Sequence, residues 1–393
     1  MRVLFIHEFG PGADESMMQD LISALERRIP QLRWKYFNGF LKRYGGAGTS
    51  PKRLLNLAYM FFFLPVIILF FRPTHILARS APPGMQIWSV LLGAVFRVPV
   101  IAWLMDYHPE MEARILARRN FPRIASLLRA LDRYFLRRFE AIVVLDSAMR
   151  DLLRERAGNV PVLVHPTWNK GFVYEGRGSE NSKTRQVTEL KLAYAGNLGN
   201  SHPLETFNTL VKCLQPGISV SLVAIGASEP GEKRLESFAR ELSLPLEILP
   251  RTPFHRLRDV FDRHEVDLGV VLLSDEFAGC LSPSKFSAYL AFGIPILYIG
   301  PRGTNTDLIC SRFAAGFSLR NNPAELELTT IAGRLLNRSE IASAAAHVEG
   351  AAHFFTGQNE HSLAELLIPF LTRPTAKQSI DPGREPELEA HPR

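Results

Sequence analysis

The stretch Ser282-Pro283-Ser284-Lys285-Phe286-Ser287-Ala288-Tyr289-Leu290-Ala291-Phe292-Gly293-Ile294-Pro295-Ile296-Leu297-Tyr298-Ile299-Gly300 reads as loop, helix, turn and strand. Ser282 has the chemistry of an N-cap, Pro283 that of a first helical residue, and Gly293 that of a residue that ends a helix. Ile294 to Ile299 is a short apolar run of the kind that forms a buried strand. A helix entered from a loop presents free N–H groups, and Lys285 in the first turn adds a positive charge. The stretch therefore predicts an anion site. Every α/β chain has several such helix starts, so the surrounding pattern must say which anion this one meets.

Outward from that stretch, strands and helices alternate. Asp267 to Leu273 is a strand that feeds it. Upstream lie strand Lys191 to Tyr194, the loop Ala195-Gly196-Asn197-Leu198-Gly199-Asn200-Ser201, and helix Pro203 to Leu214. Strand Val220 to Ile225 ends in Gly226; helix Glu232 to Leu242, strand Leu246 to Leu249 and helix Arg256 to Arg263 follow. The first half has the same grammar. Val3 to Ile6 is a strand, followed by the loop containing Gly10 and Gly12, a helix over Met17 to Leu25, and strands at Thr74 to Arg79, Pro99 to Leu104, Ala141 to Leu145 and Val162 to Val164. Such alternation predicts parallel sheets with helices on both faces. The loop at Gly10 and Gly12 lacks GxGxxG, so it is either a tight turn or a close backbone approach to a ligand. Glu112 to Phe139 reads as one long arginine-rich helix, mostly a solvated face, with some arginines toward anionic lipid. Thr329 to Leu336 and Ile341 to Val348 read as helices, and Ser362 as the cap of a short helix, Leu363 to Ile368, ended or kinked by Pro369.

At 393 residues the chain accommodates two domains. Cys213, Cys280 and Cys310 are scattered, which implies a reducing compartment and no structural zinc. The net charge of +7 is uneven: residues 1–166 hold 23 Lys and Arg against 13 Asp and Glu. A basic first half calls for an anionic partner. No nucleic-acid-binding pattern is present, and a membrane surface fits better. Residues 52–72 supply the reason, being an apolar, aromatic run bracketed by Lys52-Arg53 and Arg72. Its length touches the lower limit for a spanning helix. Pro65 and the strand that follows at once favour a helix lying on the membrane, ahead of a core helix and then a spanning one. The strand Pro99 to Leu104 ends in Asp106, His108 and Glu110, titratable groups where an open α/β sheet meets its ligands.

The chain resembles the GT-B glycosyltransferases, specifically the GT4-like retaining group that builds bacterial surface polysaccharides. The resemblance rests on Tyr194-Ala195-Gly196-Asn197-Leu198-Gly199-Asn200-Ser201-His202-Pro203-Leu204-Glu205-Thr206, and equally on Pro283-Ser284-Lys285 with Tyr289-Leu290-Ala291-Phe292-Gly293-Ile294-Pro295. It implies two doubly wound, Rossmann-like domains facing across a cleft, with a C-terminal helix packed back on the first. The expected division is an acceptor-side domain at 1–170, a linker at 171–190, a nucleotide-sugar domain at 191–350, a helical segment at 351–372 and a disordered tail at 373–393.

The resemblance implies a nucleotide-diphosphate sugar as donor and a lipid-linked or glycan acceptor, with no metal and no other cofactor. Gly196, Asn197, Gly199, Gly226, Ser282, Ser284 and Lys285 would hold the donor, with Gly196 and Gly199 bringing backbone N–H groups to the diphosphate. Gly10, Gly12 and Glu110 would face the acceptor, and His108, Asp106 and Glu276 would be catalytic. The expected location is the cytoplasm, at the inner face of the cytoplasmic membrane. The chain departs from the family where paired glutamates are usual, with Cys280 and Ala288 in their places. That leaves two other readings, a non-catalytic scaffold on the same fold and a sugar-nucleotide epimerase.

Overall fold

In the computed structural model the described residues are 1–7, 13–38, 51–80, 84–168, 174, 176, 189–199 and 201–373. Gly10, Gly12, nearly all of the expected linker and all but the first residue of the tail lie outside them. The first domain contains β1 (Arg2–Ile6), α1 (Ala13–Arg28), β2 (Arg33–Phe37), α2 (Pro51–Phe71), β3 (His75–Arg79), α3 (Met85–Phe96), β4 (Val100–Trp103), α4 (His108–Arg118), α5 (Pro122–Leu136), β5 (Ala141–Val144), α6 (Ser147–Ala157) and β6 (Val162–Val164). Its six strands run in the order β2-β1-β3-β4-β5-β6, all parallel.

Alternation along β5 shows how the sheet is covered. Ile142 and Val144 face the core made with α2, α3, α5 and α6, while Ala141 and Val143 face the core made with α1. Both faces are buried, which is why the strands are continuous apolar runs.

The second domain contains β7 (Glu189–Ala195), α7 (Glu205–Leu214), β8 (Ser219–Ile225), α8 (Glu229–Leu242), β9 (Leu246–Leu249), α9 (Leu257–Arg263), β10 (Leu268–Leu272), α10 (Phe286–Ala291), β11 (Ile296–Ile299), α11 (Asn305–Ser311), β12 (Gly316–Leu319), α12 (Glu325–Leu336), α13 (Arg338–Ala346) and α14 (Val348–Gly357). The strand order is β12-β11-β10-β7-β8-β9, again all parallel. A last helix, α15 (Glu360–Leu371), returns to the first domain, where Leu363, Leu367 and Phe370 join the core against α1. The expected return of the C-terminal helix is therefore observed.

Several local expectations change. The single long helix is two, because Asn120 adopts φ 63° and Phe121-Pro122 starts α5 afresh. The helix expected from Ser282 begins at Phe286 and has only 6 residues. Ser282 is not its cap; its hydroxyl instead accepts from Asn305 Nδ2 at 3.3 Å. α15 starts earlier than expected, where Asn359 forms a capping box with Ser362, and it carries Pro369 within its last turn. α2 also contains Pro65 without ending there. No helix among the described residues is long and apolar enough to cross a membrane.

Candidate functional site

The order of the second sheet reverses between β7 and β10, and open α/β sheets bind ligands outside the C-terminal ends of strands at such a point. β7 and β10 pair only at Leu268 with Leu192 and Gly269 with Ala193 before they diverge. Tyr289 of α10 fills the split. Its ring lies so close to Gly269 that a Cβ there would stand 2.2 Å from it. Its hydroxyl accepts from the Ala195 N–H at 2.8 Å and donates to the Ala193 carbonyl at 3.0 Å. A side chain thus satisfies backbone groups that have lost their ladder partners.

The strand then enters the glycine turn. Gly196 has φ +108°, and an added Cβ would sit 3.0 Å from Lys285 Cε, so the lysine stem lies across the glycine. Its N–H donates to Ile225 O at 2.7 Å, and the Gly199 N–H donates to His202 Nδ1 at 3.0 Å. The two N–H groups expected to face an anion are therefore engaged within the fold. Asn197 Oδ1 accepts from the Ser228 N–H at 3.1 Å and from its hydroxyl at 2.6 Å, tying this turn to the one at Gly226. Gly226, at φ +73°, is packed against Arg251. Arg234 on α8 donates to Gly199 O at 2.8 Å and to His202 O at 3.1 Å. It supplies a cation that no local sequence signal announced, because it is 35 residues beyond the loop it serves.

Lys285 stands at the centre. Its side-chain nitrogen bonds the Tyr194 hydroxyl and lies 3.0 Å from both Asn197 O and His202 Nε2. Desolvation lowers its pKa to about 7. Burial, with Lys285 and Arg234 nearby, lowers that of His202 to about 3. Ser284 is exposed, and its carbonyl accepts from the Ser287 N–H at 3.2 Å. With α10 so short, an anion at this site would meet the Lys285 side chain more than the helix end.

Loops at the ends of the first sheet meet loops of the second. The Tyr107 N–H donates to Cys280 O at 2.8 Å, the Ala148 N–H to Gly303 O at 3.0 Å, and Asn305 Nδ2 to Leu145 O at 3.0 Å. Asp106 and His108 flank Tyr107 on this seam. The Asp106 N–H reaches Ser80 Oγ at 3.4 Å, and His108 Nδ1 lies 3.2 Å from Glu112.

Glu110 is placed differently from the expectation. It is buried, and its carboxylate takes bonds from Arg114 at 2.9 Å, Arg129 at 3.0 Å and Arg156 at 2.8 Å. Burial opposes its ionisation, but the bonds from Arg129, Arg156 and Arg114 hold its pKa at about 2. Glu110 thus belongs to an internal ion network, not to an acceptor-facing surface, and Arg114 and Arg129 are not part of a solvated face. Arg114 continues across the seam to the carbonyls of Glu276 and Ala278. Glu276 itself pairs with Arg118 through its carboxylate. Cys280 is wholly buried in the core of the first domain, and burial pushes its thiol up to about 12. Ala288 is buried beside Tyr289.

Solved structures share this architecture at low identity. Anabaena HepE, in complex with UDP and glucose, aligns over 94% of this chain and 98% of its own at 14% identity and a TM-score of 0.60. The fold is GT-B. Sucrose-phosphate synthase from Thermosynechococcus elongatus shares it at 12% identity, 94% and 98% coverage and a TM-score of 0.64. WaaG, described as a glycosyltransferase involved in lipopolysaccharide biosynthesis, shares it at 13% identity, 95% and 100% coverage and a TM-score of 0.59. No protein-family profile and no curated protein matches the sequence. Within the GT-B frame, the crevice at Gly196 and Lys285 belongs to the C-terminal domain, and the basic, aromatic α2 to the N-terminal one.

Proposed function

We propose that the protein is a glycosyltransferase that moves a sugar from a nucleotide-diphosphate sugar to a lipid-linked or glycan acceptor. The observation that carries this reading is the convergence of the Gly196 turn, Lys285 and Arg234 at the switch point of the second sheet. Two cations at a crevice match the charge that develops on a departing diphosphate, and such preorganised stabilisation is a large term in group transfer. The GT-B neighbour HepE was solved with UDP and with UDP-glucose, which supports a nucleotide sugar as the donor. In this reading Lys285 and Arg234 act on the leaving diphosphate. Gly226 lies under the base, and His108 and Asp106 act from the facing seam. The GT4-like motifs favour retention of anomeric configuration and a reaction without a metal.

A membrane-surface acceptor fits the outer face of α2, where Phe62 is 70% and Phe70 80% exposed. Leu127 and Leu131 of α5 are exposed apolar side chains as well, and Arg118, Arg119, Arg123 and Arg133 on or beside α4 and α5 are exposed too. Aromatic and basic side chains together suit the interface of an anionic leaflet. A second reading, a non-catalytic GT-B scaffold, draws on Ala288 and on the engagement of Glu276 by Arg118. Incubation with a panel of UDP- and GDP-sugars and a membrane-lipid extract separates the two. Transfer of sugar to lipid is expected, and binding of nucleotide without turnover on any donor points to the scaffold.

A further inference from the structure

The hydrogen count around Lys285 decides its protonation. His202 Nδ1 lies 3.0 Å from the Gly199 nitrogen, which can only donate, so Nδ1 is the acceptor. A neutral imidazole with a bare Nδ1 carries its proton on Nε2. That Nε2–H then points at Lys285 Nζ, 3.0 Å away. An ammonium has no lone pair to receive it. A neutral amine does. It donates its two hydrogens to the Tyr194 hydroxyl and to Asn197 O and accepts from His202. The hydroxyl of Tyr194 can receive, because its own hydrogen goes to Asn197 O at 3.0 Å. In the opposite tautomer Nδ1–H would have to reach Gly199 O at 3.3 Å, and the Gly199 N–H would face another N–H.

The surroundings agree. Tyr194 from β7 and His202 from the loop are the titratable groups in contact with the amine, and Arg234 from α8 bonds the His202 carbonyl behind them. Among the described residues no carboxylate forms an ion pair with it. Desolvation acts in the same direction as the latch, lowering the pKa of Lys285 to about 7.

We infer that His202 latches Lys285 as a neutral amine in the empty site, and that a nucleoside diphosphate is bound together with a proton taken up by that amine. The inference rests on the donor reading above. Once protonated, the ammonium can no longer accept from Nε2–H, so the side chain leaves His202 and turns its third hydrogen to a phosphate oxygen. The sign follows from linkage: above the free-site pKa, the bound form holds one proton more than the free form. Donor affinity is therefore flat below about pH 7 and falls by up to about tenfold per pH unit above it. His202 is then a positioning residue for the donor site and gives it a pH response that a permanently charged lysine would lack.

The experiment uses the full chain in two arms. Lysine side-chain carbon NMR, with the Lys285 signal assigned from its loss in Lys285→Arg, follows the titration of the empty protein. A midpoint near 7 is expected, and a midpoint near the ordinary value of about 10.4 overturns the latch. His202→Leu keeps the bulk and removes the donor, so the midpoint should rise by about one unit or more; an unmoved midpoint also overturns it. In the second arm UDP-glucose and GDP-mannose, whose esterified diphosphates do not titrate near neutrality, are titrated calorimetrically in buffers of different ionisation enthalpy. Uptake of about one proton per ligand at pH 8, vanishing near pH 6, is expected. Binding without proton uptake at pH 8 overturns the inference and leaves the donor reading standing. If neither ligand binds while Lys285 still titrates near neutrality, the latch stands and the donor reading falls.

Discussion

Replacing Glu110 by Gln tests whether the seam between the domains is braced by the ion network of the first. The carboxylate meets Arg114, Arg129 and Arg156 within 3.0 Å while almost wholly removed from water. Its pKa falls from an ordinary 4.5 to about 2 despite burial. Such a shift corresponds to about 3 kcal/mol of stability at neutral pH. Breaking a buried ion pair from one side costs about 3–5 kcal/mol, which is of the same size. The amide keeps one acceptor, which places the loss for Glu110→Gln near 3 kcal/mol. All four tryptophans, Trp34, Trp88, Trp103 and Trp168, lie in the first domain, so tryptophan fluorescence in urea reports on the right half of the chain. The folded-state pKa is depressed, so the contribution is complete above about pH 4.5 and is lost as pH falls towards 2. The deficit of the variant should hold from pH 8 to 5 and close below 4.5. A loss under about 1 kcal/mol, or a deficit that widens in acid, refutes the reasoning. Arg114 also loses its anchor, so its hold on Glu276 and Ala278 loosens and turnover should fall with the stability.

Three further outcomes are expected. Lys285→Ala should weaken nucleotide-sugar binding by about 1.5–3 kcal/mol in calorimetry, as for a charge-assisted contact, and unchanged affinity would remove the residue from the site. Tyr289→Phe leaves the buried Ala195 N–H and Ala193 carbonyl without their partner, so thermal unfolding should show a loss of about 1–3 kcal/mol. A variant indistinguishable from wild type would mean the sheet closes its own split. The double change Phe62→Ser, Phe70→Ser should abolish flotation with anionic phosphatidylglycerol vesicles, while stability stays within about 0.5 kcal/mol because both rings are exposed. Equal flotation of variant and wild type would place the lipid contact elsewhere.

The strands that the sequence revealed are those buried on both faces. Ala141–Val144 and Leu268–Leu272 are apolar without interruption, and no helix period competes with them. β2 was not legible, because Arg33-Trp34-Lys35-Tyr36-Phe37 lies at the sheet edge with its first residues exposed. β12 was missed for another reason. Its Gly316 packs so tightly on β11 that a Cβ would meet Ile296 O at 2.2 Å, and a strand that begins on glycine has little apolar signature. Local capping rules also misplaced the start of α10. Ser282 has the right chemistry for a cap, but its hydroxyl accepts from Asn305 at the start of α11 instead.

The site was legible in part for the same reason. Lys285 and Gly196 lie in recognisable motifs, and their contact is visible in the structure. His202 meets Lys285, and Arg234 meets the carbonyls of Gly199 and His202, contacts whose meaning depends on folding. Glu110 read as a cleft residue because it follows a strand end, but helical spacing to Arg114 and the packing of α5 and α6 turn it inward.

α15 sets an order on the birth of the molecule. The chain begins its first domain at residue 2, yet the apolar face under α1 is completed only by Leu363, Leu367 and Phe370. Arg28 meets Glu365 at 2.6 Å, and His165 meets Ser362 at 2.8 Å, across the same junction. A ribosome must therefore translate the whole second domain before the first can shut. Until then the nascent first domain carries a bare hydrophobic face, the condition in which chains bind chaperones or aggregate. Cutting the gene between the domains would not yield two proteins; it would yield one sound half and one that never receives its last helix.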